Sequence, residues 1–173
     1  MTQVSAQVPL PTERSVSPVL RPAAEVHDAA LRILETERAR LRPLLPDAEL
    51  VLSGGSSIPA ALTRGDVDLH LRVPVANYPR ALDVLRGLYA VRRPEIWSDT
   101  LATFEVEAAL PTGLAATPIG SEHDRRFTRS WQLLATEPRL LDAYNSLKRR
   151  HAKGDAATYE AAKSTFFSEL MDR

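Results

Sequence analysis

Apolar residues recur at two periods along this chain, and the switches between them mark out its elements. Over residues 22–42, Val26, Ala30, Ile33, Leu34 and Leu41 fall at helical spacing, with Glu35, Glu37, Arg38 and Arg40 on the remaining face. Pro22 suits the first turn of this helix, and Pro43 with Pro46 ends it. A short run over 48–52 then predicts a strand that stops at Gly54-Gly55-Ser56-Ser57-Ile58-Pro59. From Asp66 to Val73 the period drops to two: Val67, Leu69, Leu71 and Val73 face one way, while Asp66, Asp68, His70 and Arg72 face the other. Residues 77–90 return to helical spacing through Tyr78, Ala81, Leu82, Leu85 and Leu88. The stretches Leu101–Ala109 and Leu114–Ile119 read as two more strands, joined through Pro111-Thr112-Gly113.

The last third predicts three helices. Ser121 caps the first, which carries Phe127, Trp131 and Leu134. Pro138 opens the second, with Leu141, Tyr144 and Leu147, and Gly154 closes it. Asp155 caps the third, through Tyr159, Ala162, Phe166 and Leu170. The expectation is an α+β domain over residues 23–173, with a small mixed sheet, flanking helices and a helical C-terminal lobe. Pro9, Pro11, Pro18 and Pro22 make residues 1–22 a proline-rich arm.

Composition narrows the function classes. At 173 residues one domain is the default, and 22 basic against 22 acidic residues give zero net charge, which argues against general nucleic-acid binding. With no cysteine, thiolate metal sites, disulfides and cysteine nucleophiles are excluded. No run approaches the roughly 20 apolar residues of a membrane span, and the N-terminus does not read as a secretory signal, so no membrane association and a cytoplasmic location are expected.

Candidate chemistry concentrates in the middle of the chain. Asp66 and Asp68 share a strand face roughly 6.5–7 Å apart, a spacing that suits one hard cation; a sheet with a wet face produces the same alternation. Upstream, Gly54 and Gly55 let backbone approach a phosphate, with Ser56 and Ser57 adding amides and hydroxyls. A phosphate cradle beside paired carboxylates fits phosphoryl or nucleotidyl transfer. Glu105 and Glu107 share a face by alternation, and either is a candidate third carboxylate. Lys148 and Lys163 are candidate cations for a triphosphate, with Arg149 and Arg150 beside the first. Among the histidines only His70 falls on the Asp66/Asp68 face. Walker, Rossmann and nucleophile-elbow motifs are absent.

Gly-Gly, ten intervening residues and Asp-Val-Asp-Leu resemble the signature of the nucleotidyltransferase superfamily that includes DNA polymerase beta. Within it, GGSSIPAALTRGDVDLHLRV is similar to the core of the GrpB-like family. So is the C-terminal stretch with Tyr144, Lys148, Tyr159 and Lys163, and the resemblance spans residues 25–173. The sequence departs from that family at Ser53, where an apolar residue is usual, at Gly55 in place of Ser, and at Ala60 in place of Gly. The resemblance implies a nucleotidyltransferase-like sheet and a Mg²⁺-dependent enzyme. Gly54, Gly55, Ser56 and Ser57, with Lys148 and Lys163, would bind a nucleoside triphosphate. Asp66 and Asp68 would hold the metal, Glu105 or Glu107 would complete the catalytic set, and a nucleoside monophosphate would pass to an unidentified acceptor. The alternative is an inactive nucleotide-binding or partner-binding module, its partner being dephospho-coenzyme A kinase, to which this domain is fused in some bacteria.

Overall fold

The computed structural model describes residues 19–172, so the proline-rich arm lies outside the described residues up to position 18. The elements in order are β1 (Arg21–Pro22), α1 (Ala24–Leu41), β2 (Glu49–Ser53), β3 (Leu62–Thr63), β4 (Val67–Val73), α2 (Tyr78–Leu88), β5 (Ala90–Val91), β6 (Ala102–Val106), β7 (Thr112–Pro118), α3 (Glu122–Thr136), α4 (Pro138–His151) and α5 (Ala156–Met171). Five strands make a mixed sheet in the order β2-β4-β7-β6-β5, in which only β4 and β7 run parallel. That one parallel pair needs a crossover, and α2 with β5 and β6 supplies it. β1 and β3 form a separate two-stranded ribbon.

The alternation of β4 positions the two faces of the sheet. Val67, Leu69, Leu71 and Val73 are buried with Phe104, Val106 and Leu114 beneath α1 and α2, in a core that also takes Ile33, Leu34, Tyr78 and Leu85. A second apolar cluster holds the C-terminal lobe together: Leu134, Leu140, Leu141, Tyr144 and Leu170 pack with Ala23, Ile58 and Ala61 from the start of the chain. The predicted caps form as expected, since Ser121 Oγ accepts from the Asp124 amide at 3.3 Å and Asp155 Oδ1 from the Thr158 amide at 2.8 Å.

Several boundaries differ from expectation. Pro22 lies in β1 opposite Leu62 and precedes the helix it was expected to open. Glu37, placed by periodicity on the polar face of α1, is buried and accepts a hydrogen bond from the Tyr89 hydroxyl, with Arg40 at 3.6 Å. The predicted turn Pro111-Thr112-Gly113 is shorter than read: Thr112 and Gly113 belong to β7, opposite Val67 and Asp68.

His70 is buried under the C-terminal lobe. Its Nε2 meets the Thr117 hydroxyl at 2.7 Å and its ring meets Phe127 edge-on at 5.3 Å. Burial pushes this imidazole down to about 4, against the upward pull of Asp124. Asp124 is itself buried and receives Arg72 Nε at 2.7 Å and the Gly120 amide at 2.8 Å. Burial raises its carboxyl, but these bonds outweigh burial and leave it below the usual carboxylate range.

Candidate functional site

The strand β2 ends in Ser53, and the chain must then reverse without covering the adjacent β4. Gly54 does this with φ 68° and ψ −172°, a backbone conformation that side chains rarely adopt, and Gly55–Ser57 follow as one 3₁₀ turn. The glycines also admit two charged groups. A methyl on Gly54 would overlap Asp68 Oδ2, and one on Gly55 would stand 2.9 Å from Lys148 Nζ and 3.2 Å from the Leu62 carbonyl. Ser57 Oγ donates to the Gly54 carbonyl at 2.6 Å, and His27 Nδ1 contacts the Ser56 carbonyl at 2.9 Å. Ser56 is buried, and its hydroxyl has no hydrogen-bond partner among the described residues.

From α4 two side chains grip this segment. Asn145 Oδ1 accepts from the Leu62 amide at 2.9 Å while its Nδ2 donates to the Ala60 carbonyl at 3.1 Å. One turn on, Lys148 is buried, donates to the Leu62 carbonyl and lies 4.4 Å from the Tyr144 ring centre. Asn145→Ala removes both amide bonds and leaves a buried N–H and C=O behind, so a loss of about 2–3 kcal/mol is expected in urea unfolding.

The charges around Asp68 shape its chemistry. Burial, and then the neighbouring Asp66 carboxylate, push Asp68 up to about 6, while Lys163, Arg92 and Lys148 pull it back down. Burial pushes Lys148 down to about 8, against Asp66 and Asp68. Thus two carboxylates and two lysines from opposite ends of the sequence act on one another here. Lys163, on α5, is half-buried, 5.3 Å from the Tyr159 ring centre and 3.4 Å from Glu160 Oε1. It also lines a cavity of about 500 Å³ walled by Phe127, Trp131 and Phe167.

The glutamates are placed differently. Asp68 pairs with Gly113 on β7, and Gly113 pairs with Glu105 on β6, so Glu105 shares the face of Asp68 but stands two strands away. Glu107 lies beyond the end of β6, and both are exposed. Among the described residues no three carboxylates or imidazoles gather in a way that would hold a metal ion. Asn145, Arg64, Arg21 and Arg92 near the site were not anticipated, whereas Lys148 was expected there as a phosphate-binding cation and is found buried. Asn145 and Lys148 continue the stripe of Leu141 at intervals of four and three, a signal that could have revealed both as inward-facing. Arg64 stacks on Tyr159 at 5.1 Å with its Nε buried and unpartnered, and Arg21 packs its guanidinium on Gly65. Arg92 lies over Gly113. These three come from short or irregular segments without a readable period.

With this geometry in place, known proteins supply the comparison. No family model matches the chain. A UPF0157 protein of Vibrio cholerae is 27% identical over 129 residues, covering 74% of this chain and 68% of that protein. The conserved protein GrpB from Enterococcus faecalis superposes with a TM-score of 0.68 at 14% identity, covering 89% of this chain and 98% of the other. The chain is GrpB-like in fold. The Cid1 poly(U) polymerase, in a structure with Mg 3′-dATP bound, superposes with a TM-score of 0.51 at 16% identity, over 78% of this chain and 43% of that one. The GrpB-like sheet is therefore a nucleotidyltransferase-type sheet, as the Gly-Gly and Asp-x-Asp motifs implied. No helix among the described residues of this chain is long and apolar enough to cross a membrane.

Proposed function

We propose that this chain binds a nucleoside triphosphate at the Gly54–Ser57 turn and transfers its nucleoside monophosphate to an acceptor, with Mg²⁺ held by Asp66 and Asp68. The observation that carries this is the seating of Asp68 directly against Gly54 while Lys148 backs Gly55. Carboxylate, glycine backbone and ammonium thus meet at one turn, an arrangement suited to phosphate and incompatible with a side chain at Gly54. The fold shared with a polymerase that binds a nucleotide with Mg supports the same reading.

The donor set fits the ion: two hard carboxylate oxygen groups, one of them pushed up by burial and then by its twin, gain from a shared divalent cation. When bound, the metal would neutralise phosphate charge. The chain's own residues do the rest. The turn's amides orient the phosphates, Lys148 and Lys163 draw the negative charge inward, and the mixed apolar and polar cavity beside Lys163 offers room for the remainder of a ligand. We assign this role to a domain spanning residues 23–173, working in the cytoplasm, with residues 1–22 as an arm.

A second reading is favoured by the separation of Glu105 from Asp68 across Gly113: a nucleotide-binding or partner-binding module without the transfer step. In its partner version the module docks dephospho-coenzyme A kinase, and a pull-down that fails to recover the kinase counts against it.

The test of the first reading is thermal stabilisation by ATP, GTP, CTP and UTP, with and without Mg²⁺. A ligand at about 100 times its Kd adds about 2.7 kcal/mol, or about 5–10 °C for a chain of this size. Stabilisation by a nucleotide with Mg²⁺, lost in the Asp66→Asn, Asp68→Asn double variant, is the expected result. An unchanged double variant would overturn it.

A further inference from the structure

Arg92 has a fixed backbone and an uncommitted side chain. Its amide donates to the Thr103 carbonyl at 2.9 Å, and its carbonyl accepts from Trp97 Nε1 at 3.2 Å and from the Thr103 hydroxyl. The side chain is exposed and makes no ion pair or hydrogen bond among the described residues. It is nevertheless not directed into open solvent. Its guanidinium lies across β7 at Gly113, where a Cβ would stand 2.5 Å from Arg92 Nη1 and 3.9 Å from Asp68 Oδ1. Gly113 is the residue directly opposite Asp68, and it separates Asp68 from Glu105. Where a side chain on β7 would enter the site, the chain has none, and a guanidinium fills the space.

The surrounding charge calls for an anion. Lys163, Arg92 and Lys148 all act on Asp68, Arg64 adds its charge beside Lys148, and of these four only Lys163 is drawn to a further carboxylate among the described residues, Glu160. A guanidinium held at the rim of such a site, with its donors unspent, matches the geometry of phosphate oxygens.

We propose that Arg92 is a phosphate-binding residue of this site, gripping the polyphosphate of the ligand from the side opposite Lys148, and that the bare Gly113 is what seats it. This rests on the nucleotide reading above and deepens it. Arg92 does for the phosphates what neither lysine does, because its fork bonds two oxygens at once and its anchoring loop fixes the approach. Gly113→Ala leaves every charge in place, yet its methyl group displaces the guanidinium, which is the flexible end of an exposed side chain and moves at little cost to the fold.

The experiment is calorimetric titration of the full chain with ATP and with inorganic tripolyphosphate, in Mg²⁺ and in EDTA. It compares wild type with Arg92→Ala, Arg92→Lys, Gly113→Ala and the Arg92→Ala, Gly113→Ala double variant, whose thermal midpoints without ligand are first matched to wild type. Arg92→Ala is expected to weaken both ligands at least tenfold, Arg92→Lys and Gly113→Ala less, and the double variant no more than Arg92→Ala alone. Unchanged affinity in Arg92→Ala, with ATP still bound, overturns the role of Arg92 and leaves the nucleotide reading standing. Fully additive effects of the two substitutions overturn the seating by Gly113, and a loss confined to ATP overturns the assignment to phosphate. A wild type that binds neither probe overturns both the inference and the reading beneath it.

Discussion

Gly54→Ala is expected to lose about 3–5 kcal/mol of stability and nucleotide affinity with it. Two separate terms contribute. At φ 68° and ψ −172° any residue with a Cβ carries about 1–3 kcal/mol of backbone strain. The added methyl also overlaps Asp68 Oδ2, and overpacking of this kind costs about 1–3 kcal/mol more. Relief is hard to find, because Ser57 Oγ and the Ser57 amide both bond the Gly54 carbonyl, holding the turn shut from the other side. Gly55→Ala should do less harm, since its backbone is ordinary and part of its crowding comes from the end of a lysine. Urea midpoints of the two variants, with ATP titrations on whichever folds, check both statements. A Gly54→Ala protein as stable as wild type would mean the turn relaxes in a way this geometry does not allow.

The second large effect is a pH dependence hidden in the wild type. His70, pushed down to about 4 from an ordinary 6.5, favours the fold fully above pH 6.5, and that contribution is lost as pH falls toward 4. The amount is about 3 kcal/mol, from 1.36 kcal/mol per pH unit. Asp68, pushed up to about 6 from 3.8, works the other way: its contribution is present below 3.8 and lost as pH rises through 6. Between pH 4 and 6 the folded state therefore takes a proton on Asp68 while the unfolded state takes one on His70, and the two slopes oppose each other. Wild-type stability should be nearly flat over that window. Asp68→Asn removes one partner and should lose about 3 kcal/mol of stability between pH 6.5 and 4, read from urea midpoints. Below that range Asp124 adds its own loss, as protonation releases the Arg72 and Gly120 bonds. A flat profile for Asp68→Asn would show that His70 titrates normally in the fold.

How much of this was legible in the sequence depends on whether an element was long enough to show a period. β4 has seven residues, and its alternation correctly assigned Val67, Leu69, Leu71 and Val73 to the core and Asp68 to the opposite face. The caps at Ser121 and Asp155 were readable because a capping side chain acts on residues two or three away. β1 and β3 have two residues each, too few for any period, and they are held by pairing between segments about forty positions apart. Alternation also assigns a face without assigning a neighbour. It put Glu105 and Glu107 on one face of their strand, but only the strand order shows that Glu105 shares the face of Asp68 with Gly113, a residue read as part of a turn, interposed. Asn145 was hidden for a different reason: a polar residue on an apolar stripe is ordinarily read as surface until the carbonyl it serves is known.

The grip of α4 on the glycine turn has a consequence for how the molecule reaches its native state. The bonds that hold the turn join His27 to Ser56 across 29 positions, Asn145 to Ala60 across 85 and Lys148 to Leu62 across 86. Contacts of such long sequence separation form late, after the intervening loops have closed. The N-terminal helix and the β2–β4 pair have nearby partners and are free to assemble early. The glycine turn has not, and it gains its final shape only when a helix nearly ninety residues downstream docks. During synthesis the ribosome must therefore release the chain through the helix Pro138–His151 before the turn closes, which makes its closure a late event of folding.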